Sequence, residues 1–336
     1  MKEDPPETLE DCMWVEIAAL RGGIAYERWF AETAYLGNAS SAIDAGWVTP
    51  LPAGSFSGFY AYHPPISTVL RNLKTMLFRI AQDLGFEEHV FPRHYAEDQL
   101  LPFAGDVGPL DGSELFSCAP RSAAPGRIQG VLGVDPIQCA GFYALLKRIQ
   151  EHSGGALPEK FASPVKVYED QGGWTLRNEI SSRLLDGWGT AIEIAGSHFI
   201  YCGTGNAVAD IRWELLEAIT RLLEELRITH RIVVPEPRGL PGCSVEAVSS
   251  AKCLEIEVLV DGSRRHGEVW VELGGGELFG TSRLDAFGIR IASDEPLTSG
   301  CQGVGLQRLA LAVVAQHGLY PESWPRPLTS PLGPLR

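Results

Sequence analysis

The stretch Cys301-Gln-Gly-Val-Gly-Leu-Gln-Arg308-Leu-Ala-Leu-Ala312 places a thiol, two glycines and an arginine at the start of an apolar helix. We expect the preceding strand to reach Cys301 and the helix to run from about Gly305 to Gln316, with a glycine as its cap. Glycines keep side chains out of the way of a ligand, while Arg308 is expected to face outward. Close packing of a helix on a sheet would explain the glycines equally well.

Hydrophobic periodicity upstream predicts an α+β fold, an antiparallel β-sheet flanked by helices. Residues 66–84 and 207–226 carry apolar side chains at helical spacing, and Gly85 ends the first of these helices. The remaining apolar or alternating runs are short and separated by Gly and Pro clusters, as is typical of antiparallel strands. They cover residues 88–91, 166–168, 197–201, 228–234, 253–260 and 268–273.

The composition of the 336-residue chain favours a soluble, cytoplasmic protein. No apolar run approaches the roughly 18 residues of a membrane span, and the acidic start lacks the features of a signal peptide. The net charge is -14. Because such a charge repels a phosphate backbone, nucleic acid is a disfavoured partner and tRNA is not expected.

A second chemical pattern is Trp174-Thr-Leu-Arg177-Asn-Glu179. Alternate residues of a strand point to one face, so Arg177 and Glu179 project together. A guanidinium beside a carboxylate can hold a phosphate while the carboxylate accepts a hydrogen bond from an adenine amino group or from magnesium-bound water. A cross-strand salt bridge is the alternative.

In order along the chain, three segments resemble motifs 1, 2 and 3 of the class II aminoacyl-tRNA synthetase catalytic domain. They are the helix followed by Gly85-Phe-Glu-Glu-His-Val-Phe-Pro92, then Leu-Arg177-Asn-Glu179, then Gly303-Val-Gly305-Leu-Gln-Arg308. The resemblance runs from about residue 60 to residue 325. We therefore predict a catalytic domain over residues 61–336 and an N-terminal extension, residues 1–60, packed on it as one compact unit.

Within the class, the chain is most similar to the atypical zinc-dependent seryl-tRNA synthetases and to the amino acid:carrier protein ligases. The similar segments surround Cys139, His198, Thr281 and Cys301. In those families a Cys, a Glu and a Cys bind a zinc ion that holds the substrate amino group. The resemblance thus implies Cys139, His198 and Cys301 as metal ligands, with His in place of Glu, and Glu193 as the alternative third ligand.

The resemblance also implies the other parts of the site. Arg177 and Arg308 would be catalytic, and both would bind ATP together with Glu179, Glu277, Gly303 and Gly305. Glu277 is the candidate contact for Mg²⁺, and Thr281 and His198 are candidate contacts for the substrate. The reaction would be ATP-dependent, AMP-forming activation of a small amino acid such as glycine, alanine or serine, by a homodimer.

The acceptor is predicted from the length of chain before motif 1. The seryl-tRNA synthetases carry a large N-terminal tRNA-binding domain, whereas this chain reaches motif 1 by residue 92. We therefore expect the phosphopantetheine thiol of an acyl or peptidyl carrier protein, which makes the chain an amino acid:carrier protein ligase. The alternatives are transfer to a small molecule or peptide, or a paralogue without catalytic activity.

Overall fold

A computed structural model describes residues 24–30, 41–51, 60–92, 94–96, 117–118, 132–134, 139–169, 196–234, 253–261 and 269–330. The strands are β1 Ile24–Arg28, β2 Val48–Pro50, β3 Tyr60–Tyr62, β4 Glu87–Glu88, β5 His94–Ala96, β6 Ser117–Cys118, β7 Leu132–Val134, β8 Val165–Glu169, β9 Gly196–Gly203, β10 His230–Val233, β11 Cys253–Asp261, β12 Val269–Gly280 and β13 Thr298–Gly305. The helices are α1 Ser41–Asp44, α2 Ile66–Asp83, α3 Ala140–His152, α4 Ala207–Glu225, α5 Ser282–Ala286, α6 Leu306–His317 and α7 Arg326–Thr329.

The central sheet has eight strands in the order β1-β10-β11-β12-β13-β9-β8-β4. Neighbouring strands are antiparallel except β4 and β8, which are parallel. Two small antiparallel sheets, β2-β3 and β5-β7-β6, lie outside it. The predicted α+β fold with an antiparallel sheet and flanking helices is confirmed.

The two faces of the central sheet have different partners. Helices α2, α4 and α6 contribute to a large apolar core that includes Phe199 and Tyr201 of β9. The next residues along β9, Ile200 and Cys202, point the other way and join a smaller apolar cluster with α3. This alternation is the two-residue period of a strand, and it leaves part of the α3 face for polar side chains.

Two boundaries differ from the sequence prediction in ways that affect the site. Strand β12 continues to Gly280, through Gly274, Gly275 and Gly276, whereas the pattern predicted an end near residue 273. Strand β13 continues to Gly305, so the two glycines of the opening stretch lie within the strand. Backbone pairing with β9 on one side and β12 on the other compensates for the low strand propensity of glycine.

An edge strand from the N-terminal region completes the sheet. β1 pairs with β10, with Arg28 opposite His230. His230 is fully buried and its Nδ1 donates to the carbonyl of Ile228 at 2.7 Å. Burial, which disfavours the charged imidazolium, lowers the pKa of His230 to about 4.

We expect acid to destabilise the fold through His230. The pKa of His230 is about 4 in the folded chain and 6.5 for an ordinary histidine, so between these pH values the unfolded chain binds the proton more readily. Stability is therefore retained above about pH 6.5, and about 3 kcal/mol is lost as the pH falls to 4. Urea unfolding across this range should give a flatter curve for His230→Phe than for the wild type. Parallel curves for the two proteins would contradict this assignment.

Within the described ranges, no helix combines the length and the apolar character needed to cross a bilayer. The division of the chain at residue 60 stays a prediction.

Candidate functional site

Three side chains from distant parts of the sequence meet on the α3 face of the central sheet. Cys139 is the N-cap of α3, His198 lies on β9 and Cys301 lies on β13. Their ligand atoms all lie within 4.8 Å of one another, and Cys139 Sγ is 3.8 Å from His198 Nε2. The predicted set of three is thus brought together, and it could hold a metal ion.

Strand register explains why His198 and Cys301 meet. In the β9–β13 ladder His198 pairs with Gly303 and Cys301 pairs with Ile200, so all four positions are on one face. A Cβ added at Gly303 would lie 3.9 Å from His198 Cδ2 and 3.8 Å from the Gly275 carbonyl oxygen, an ordinary contact. Packing within the chain does not require glycine there, and its presence leaves space beside His198.

The chemistry of the three donors suits a metal. Cys139 and His198 are buried and Cys301 is partly exposed. The Cys139 thiol hydrogen-bonds to the Cys301 sulfur and, with a further hydrogen bond from His198, holds the pKa of Cys301 well below its usual range. The thiolate is the form that binds metal. Two sulfurs and an imidazole leave a fourth position open, as in catalytic rather than structural sites.

Two buried residues around the sulfurs were missed in the sequence. Arg283 of α5 is 1% exposed, with its guanidinium 4.8 Å from the centre of the Phe279 ring, and its positive charge contributes to the lowered pKa of Cys301. Tyr143 of α3 shares a hydrogen bond with Ser299 at 3.0 Å, and burial raises its pKa. Neither residue has a sequence signal, because their proximity depends on how α3 and α5 pack on β13.

Two glutamates lie beside the group in the strand ladders. Glu277, predicted to contact ATP or Mg²⁺, pairs with Cys301 across β12 and β13 and is 9% exposed. Glu169, which the sequence analysis did not single out, pairs with His198 across β8 and β9 and is 4% exposed. In the sequence, the only indication of Glu169 is that an acidic residue follows the apolar Val165 and Val167 at alternate positions of the strand.

Arg308 was predicted to face outward, but its side chain is turned toward the central sheet. Arg308 is 7% exposed, and its Nη1 donates to the Glu272 backbone carbonyl at 2.7 Å, with the Glu272 carboxylate 3.6 Å away. The first turn of α6 packs onto β12, which turns the side chain toward that strand. Gly305 is the N-cap of α6.

The remaining predicted site residues are Thr281, Arg177, Glu179 and Glu193. Thr281 is exposed at the N-cap of α5, and its role as a substrate contact stays a prediction. Arg177, Glu179 and Glu193 lie outside the described residues.

The fold resembles those of solved synthetase structures. The structure of M. kandleri SerRS in complex with A. aeolicus tRNASec matches with a TM-score of 0.76 at 23% identity, covering 92% of this chain and 63% of that one. The cytoplasmic serine-tRNA ligase from Naegleria fowleri in complex with AMP matches with a TM-score of 0.71 at 12% identity, covering 91% and 70%. The chain has a class II aminoacyl-tRNA synthetase-like catalytic fold.

Sequence comparison agrees with the class II fold. The type-2 serine–tRNA ligase of Methanopyrus kandleri is 28% identical over 320 residues, which is 84% of this chain and 57% of the relative. That of Methanococcoides burtonii is 24% identical over 327 residues, 86% of this chain and 60% of the relative. No protein-family model matches the chain. The chain thus spans under two thirds of these relatives, and the predicted resemblance to atypical serine–tRNA ligases is confirmed.

These relatives overturn the predicted acceptor. The chain was expected to be an amino acid:carrier protein ligase for which tRNA is an unlikely partner, yet the similar class II proteins are serine–tRNA ligases, one of them in complex with a tRNA. The carrier-protein prediction is wrong, and so is the exclusion of tRNA. The charge argument failed because RNA binding depends on the local potential of a surface and not on the net charge of the whole chain.

Proposed function

We propose that this chain activates serine with ATP as seryl adenylate and transfers the seryl group to tRNA. The observation that carries the proposal is the convergence of Cys139, His198 and Cys301 on the α3 face of a class II sheet. The serine–tRNA ligase relatives support serine as the amino acid and tRNA as the acceptor.

In this proposal Cys139, His198 and Cys301 hold zinc, and bound zinc supplies a Lewis-acidic position for the neutral amino group of serine. The donor set supports zinc because thiolates and imidazole are its preferred ligands, and three protein ligands leave room for one more. Burial of Cys139 and His198 keeps water from competing at two of the three donors. Gly303 lies beside His198 in the ladder, and its lack of a side chain leaves space next to this proposed ligand.

The chain's own residues would bind ATP and stabilise its charge. Arg177 and Arg308 are the proposed cations, with Glu179, Glu277 and the backbone of Gly303 and Gly305 completing the site, and Mg²⁺ is expected to accompany ATP. A carboxylate oxygen of serine attacks the α-phosphorus, and the bond to pyrophosphate breaks with its electron pair on the leaving group. Fixed positive charges stabilise the charge that develops in that transition state.

Transfer to tRNA is a separate step of the proposal. A ribose hydroxyl of the tRNA attacks the carbonyl carbon of the adenylate, the bond from that carbon to the phosphate oxygen breaks with its electron pair on AMP, and the hydroxyl proton passes to a phosphate oxygen of the departing AMP. Glu277 pairs with Cys301 in the ladder, which places an acidic residue beside the proposed metal ligands. A homodimer and a cytoplasmic location complete the proposal.

Serine should support ATP–pyrophosphate exchange, and N-acetylserine should support at least about a hundredfold less, because it offers no free amine to the metal. Removing zinc with a chelator should lower serine-dependent exchange to a similar extent, and adding zinc back should restore it. Exchange is measured with labelled pyrophosphate against a panel that includes serine, glycine and alanine. Charging of a serine-accepting tRNA is then measured with labelled serine.

Each part of the proposal has its own contradicting result. Full exchange in zinc-free protein would overturn the metal's role. A preference for another amino acid would overturn serine. Exchange with serine but no charging of tRNA would restrict the activity to adenylate formation.

A further inference from the structure

We propose that Gln150 is a positioning residue that determines amino-acid specificity: its side-chain amide holds residues 281–290, the α5 segment, against α3 and thereby limits the size of the substrate side chain. The inference rests on the proposed function, because it concerns the pocket in which the amino acid would lie. It assigns a role to a buried polar side chain that contacts neither ATP nor the metal in that proposal.

The Gln150 side chain connects α3 to the α5 segment through both ends of its amide. It lies on α3 and is 6% exposed. Its Nε2 donates to the Gly288 carbonyl at 3.0 Å, and its Oε1 accepts from the Arg290 backbone N–H at 2.5 Å. Lys147, one turn earlier on α3, donates to the same Gly288 carbonyl at 3.1 Å. Side chains of α3 therefore bind backbone groups of the turn that follows α5.

Gln150 lies on the same face of α3 as the proposed ligand Cys139. Cys139, Tyr143, Lys147 and Gln150 follow one another at intervals of four, four and three residues, which places them in a row along the helix. Between the two ends of this row, the Tyr143 ring stacks on Phe287, with the ring centroids 5.3 Å apart. One continuous face of α3 thus runs from the proposed metal ligand to the end of the α5 segment.

The α5 segment borders the proposed ligands. Leu284 and Phe287 pack in the apolar cluster that contains Cys139 and Cys301. Thr281, the predicted substrate contact, is the first residue of the segment and the N-cap of α5. A substrate held by its amine beside these sulfurs therefore has the α5 segment as a neighbour, and the position of the segment sets the room for the substrate side chain.

The α5 segment depends on outside contacts for its position because α5 has only five residues, too few for a stable helix on its own. The turn after it is internally bonded: the Gly288 N–H donates to the Asp285 carbonyl at 2.9 Å and the Ile289 N–H to the Leu284 carbonyl at 2.7 Å. This is the Schellman pattern, with Gly288 at a φ of 62°. The segment therefore moves as one body, and a displacement at Gly288 reaches Thr281, roughly 10 Å away.

A fixed wall is what allows a pocket to reject a slightly larger substrate. Threonine differs from serine by one methyl group, and a pocket discriminates against one such group by roughly 10 to 200-fold. This discrimination needs walls that do not yield, because a wall that shifts by a few tenths of an ångström relieves the clash with the extra group. Loss of the Gln150 contact should therefore relax selectivity more than it lowers activity toward serine, which fits in either arrangement.

The test compares two variants that remove the same kind of contact from different places. Gln150→Met keeps the length of the side chain but loses both hydrogen bonds to the α5 segment. Gln316 of α6 is the matched control, because it is also a buried glutamine whose amide binds backbone groups. Its Oε1 accepts from the Thr229 N–H at 2.7 Å, and its Nε2 donates to the carbonyls of Thr229 and Leu259 at 3.1 and 2.8 Å. Both variants should have a lower melting temperature than the wild type.

Two measurements are made on the purified full chain. ATP–pyrophosphate exchange gives kcat/KM for serine and for threonine, and hydrogen exchange with mass spectrometry follows the peptide that contains Arg290. For Gln150→Met we expect the serine-to-threonine ratio of kcat/KM to fall at least about tenfold. The Arg290 amide should also exchange at least about tenfold faster, because it loses its acceptor. Gln316→Met should match the wild type in both measurements.

If Gln150→Met does not fold, Gln150→Glu takes its place. Glutamate keeps the acceptor for the Arg290 N–H and removes only the hydrogen bond to Gly288, so the variant is less disruptive. We expect the serine-to-threonine ratio to fall in this variant as well, and a ratio equal to that of the wild type would contradict the inference.

The outcomes separate this inference from the proposed function. A lower ratio with faster Arg290 exchange in Gln150→Met, and neither change in Gln316→Met, supports it. Faster exchange with an unchanged ratio makes the contact purely structural and overturns the specificity role. Equal losses of selectivity in both variants show general destabilisation and also overturn it.

The wild type itself tests the proposed function. If it prefers another amino acid, serine is wrong, and the Gln150 contact is then judged by the ratio between that amino acid and its homologue one methyl group larger. Wild-type protein that activates no amino acid overturns both the proposed function and this inference.

Discussion

Cys139→Ser should release the metal while the fold survives. Cys139 is the N-cap of α3, its side chain makes no capping hydrogen bond, and serine is one of the best N-cap residues. A serine hydroxyl stays protonated near neutral pH and is a poor ligand for zinc. We expect zinc content to fall to background and serine-dependent exchange to fall at least about a hundredfold, with the melting temperature of the metal-free protein unchanged or slightly higher.

The matched control for this variant is Cys202→Ser. Cys202 is also buried and lies on the same face of β9 as His198, but it is not part of the metal-binding group. Burial raises the pKa of its thiol to about 12, so it stays neutral and does not act as a ligand. Cys202→Ser should keep its zinc and its exchange activity. Zinc retained by Cys139→Ser, or lost from Cys202→Ser, would contradict the ligand assignment.

Gly274→Ala should destabilise the protein by at least about 3 kcal/mol, the upper end of the usual range for overpacking. A Cβ at this position would lie 2.0 Å from the Gly303 carbonyl oxygen and 3.0 Å from Val304 Cα. Both are backbone atoms, so no side-chain rotation relieves the clash and β12 must separate from β13. Chemical denaturation with fluorescence detection measures the loss, and low solubility of the variant would agree with it.

Gly275→Ala is the control in the adjacent position. Its Cβ would point to the opposite side of β12 and meet Glu272 Oε1 at 3.2 Å, the mobile end of a side chain that can move by the few tenths of an ångström required. We expect a change in unfolding free energy below about 1 kcal/mol, because alanine also restricts the unfolded chain more than glycine does. Equal losses for the two variants would show that strand propensity, and not the contact with β13, sets the cost.

The fold could be predicted because helical periodicity is a local property of the sequence and because the three class II-like motifs occur in the expected order along the chain. The helical spacing of residues 66–84 became α2, Ile66–Asp83, and the resemblance to three class II motifs gave the architecture. The same resemblance selected Cys139, His198 and Cys301, which the structure brings together.

The features that the sequence could not predict depend on strand register, on helix packing and on the binding partner. Glu169 could be recognised only from its pairing with His198. A shift of one residue in the register of β8 would place its side chain on the opposite face of the sheet, toward α2, α4 and α6. The inward turn of Arg308 depends on how closely α6 packs against β12. The acceptor was predicted wrongly because it was argued from chain length and net charge, and neither describes the surface on which an RNA would lie.

Strand β1 has a consequence for where the chain can be cut. It covers the outer edge of β10, so the row of backbone N–H and C=O groups along His230–Val233 is satisfied within the molecule. A protein shortened to begin at residue 60 would present that row to solvent as a template on which another chain can add a strand. Strand β1, within the first sixty residues, therefore protects this sheet edge against aggregation.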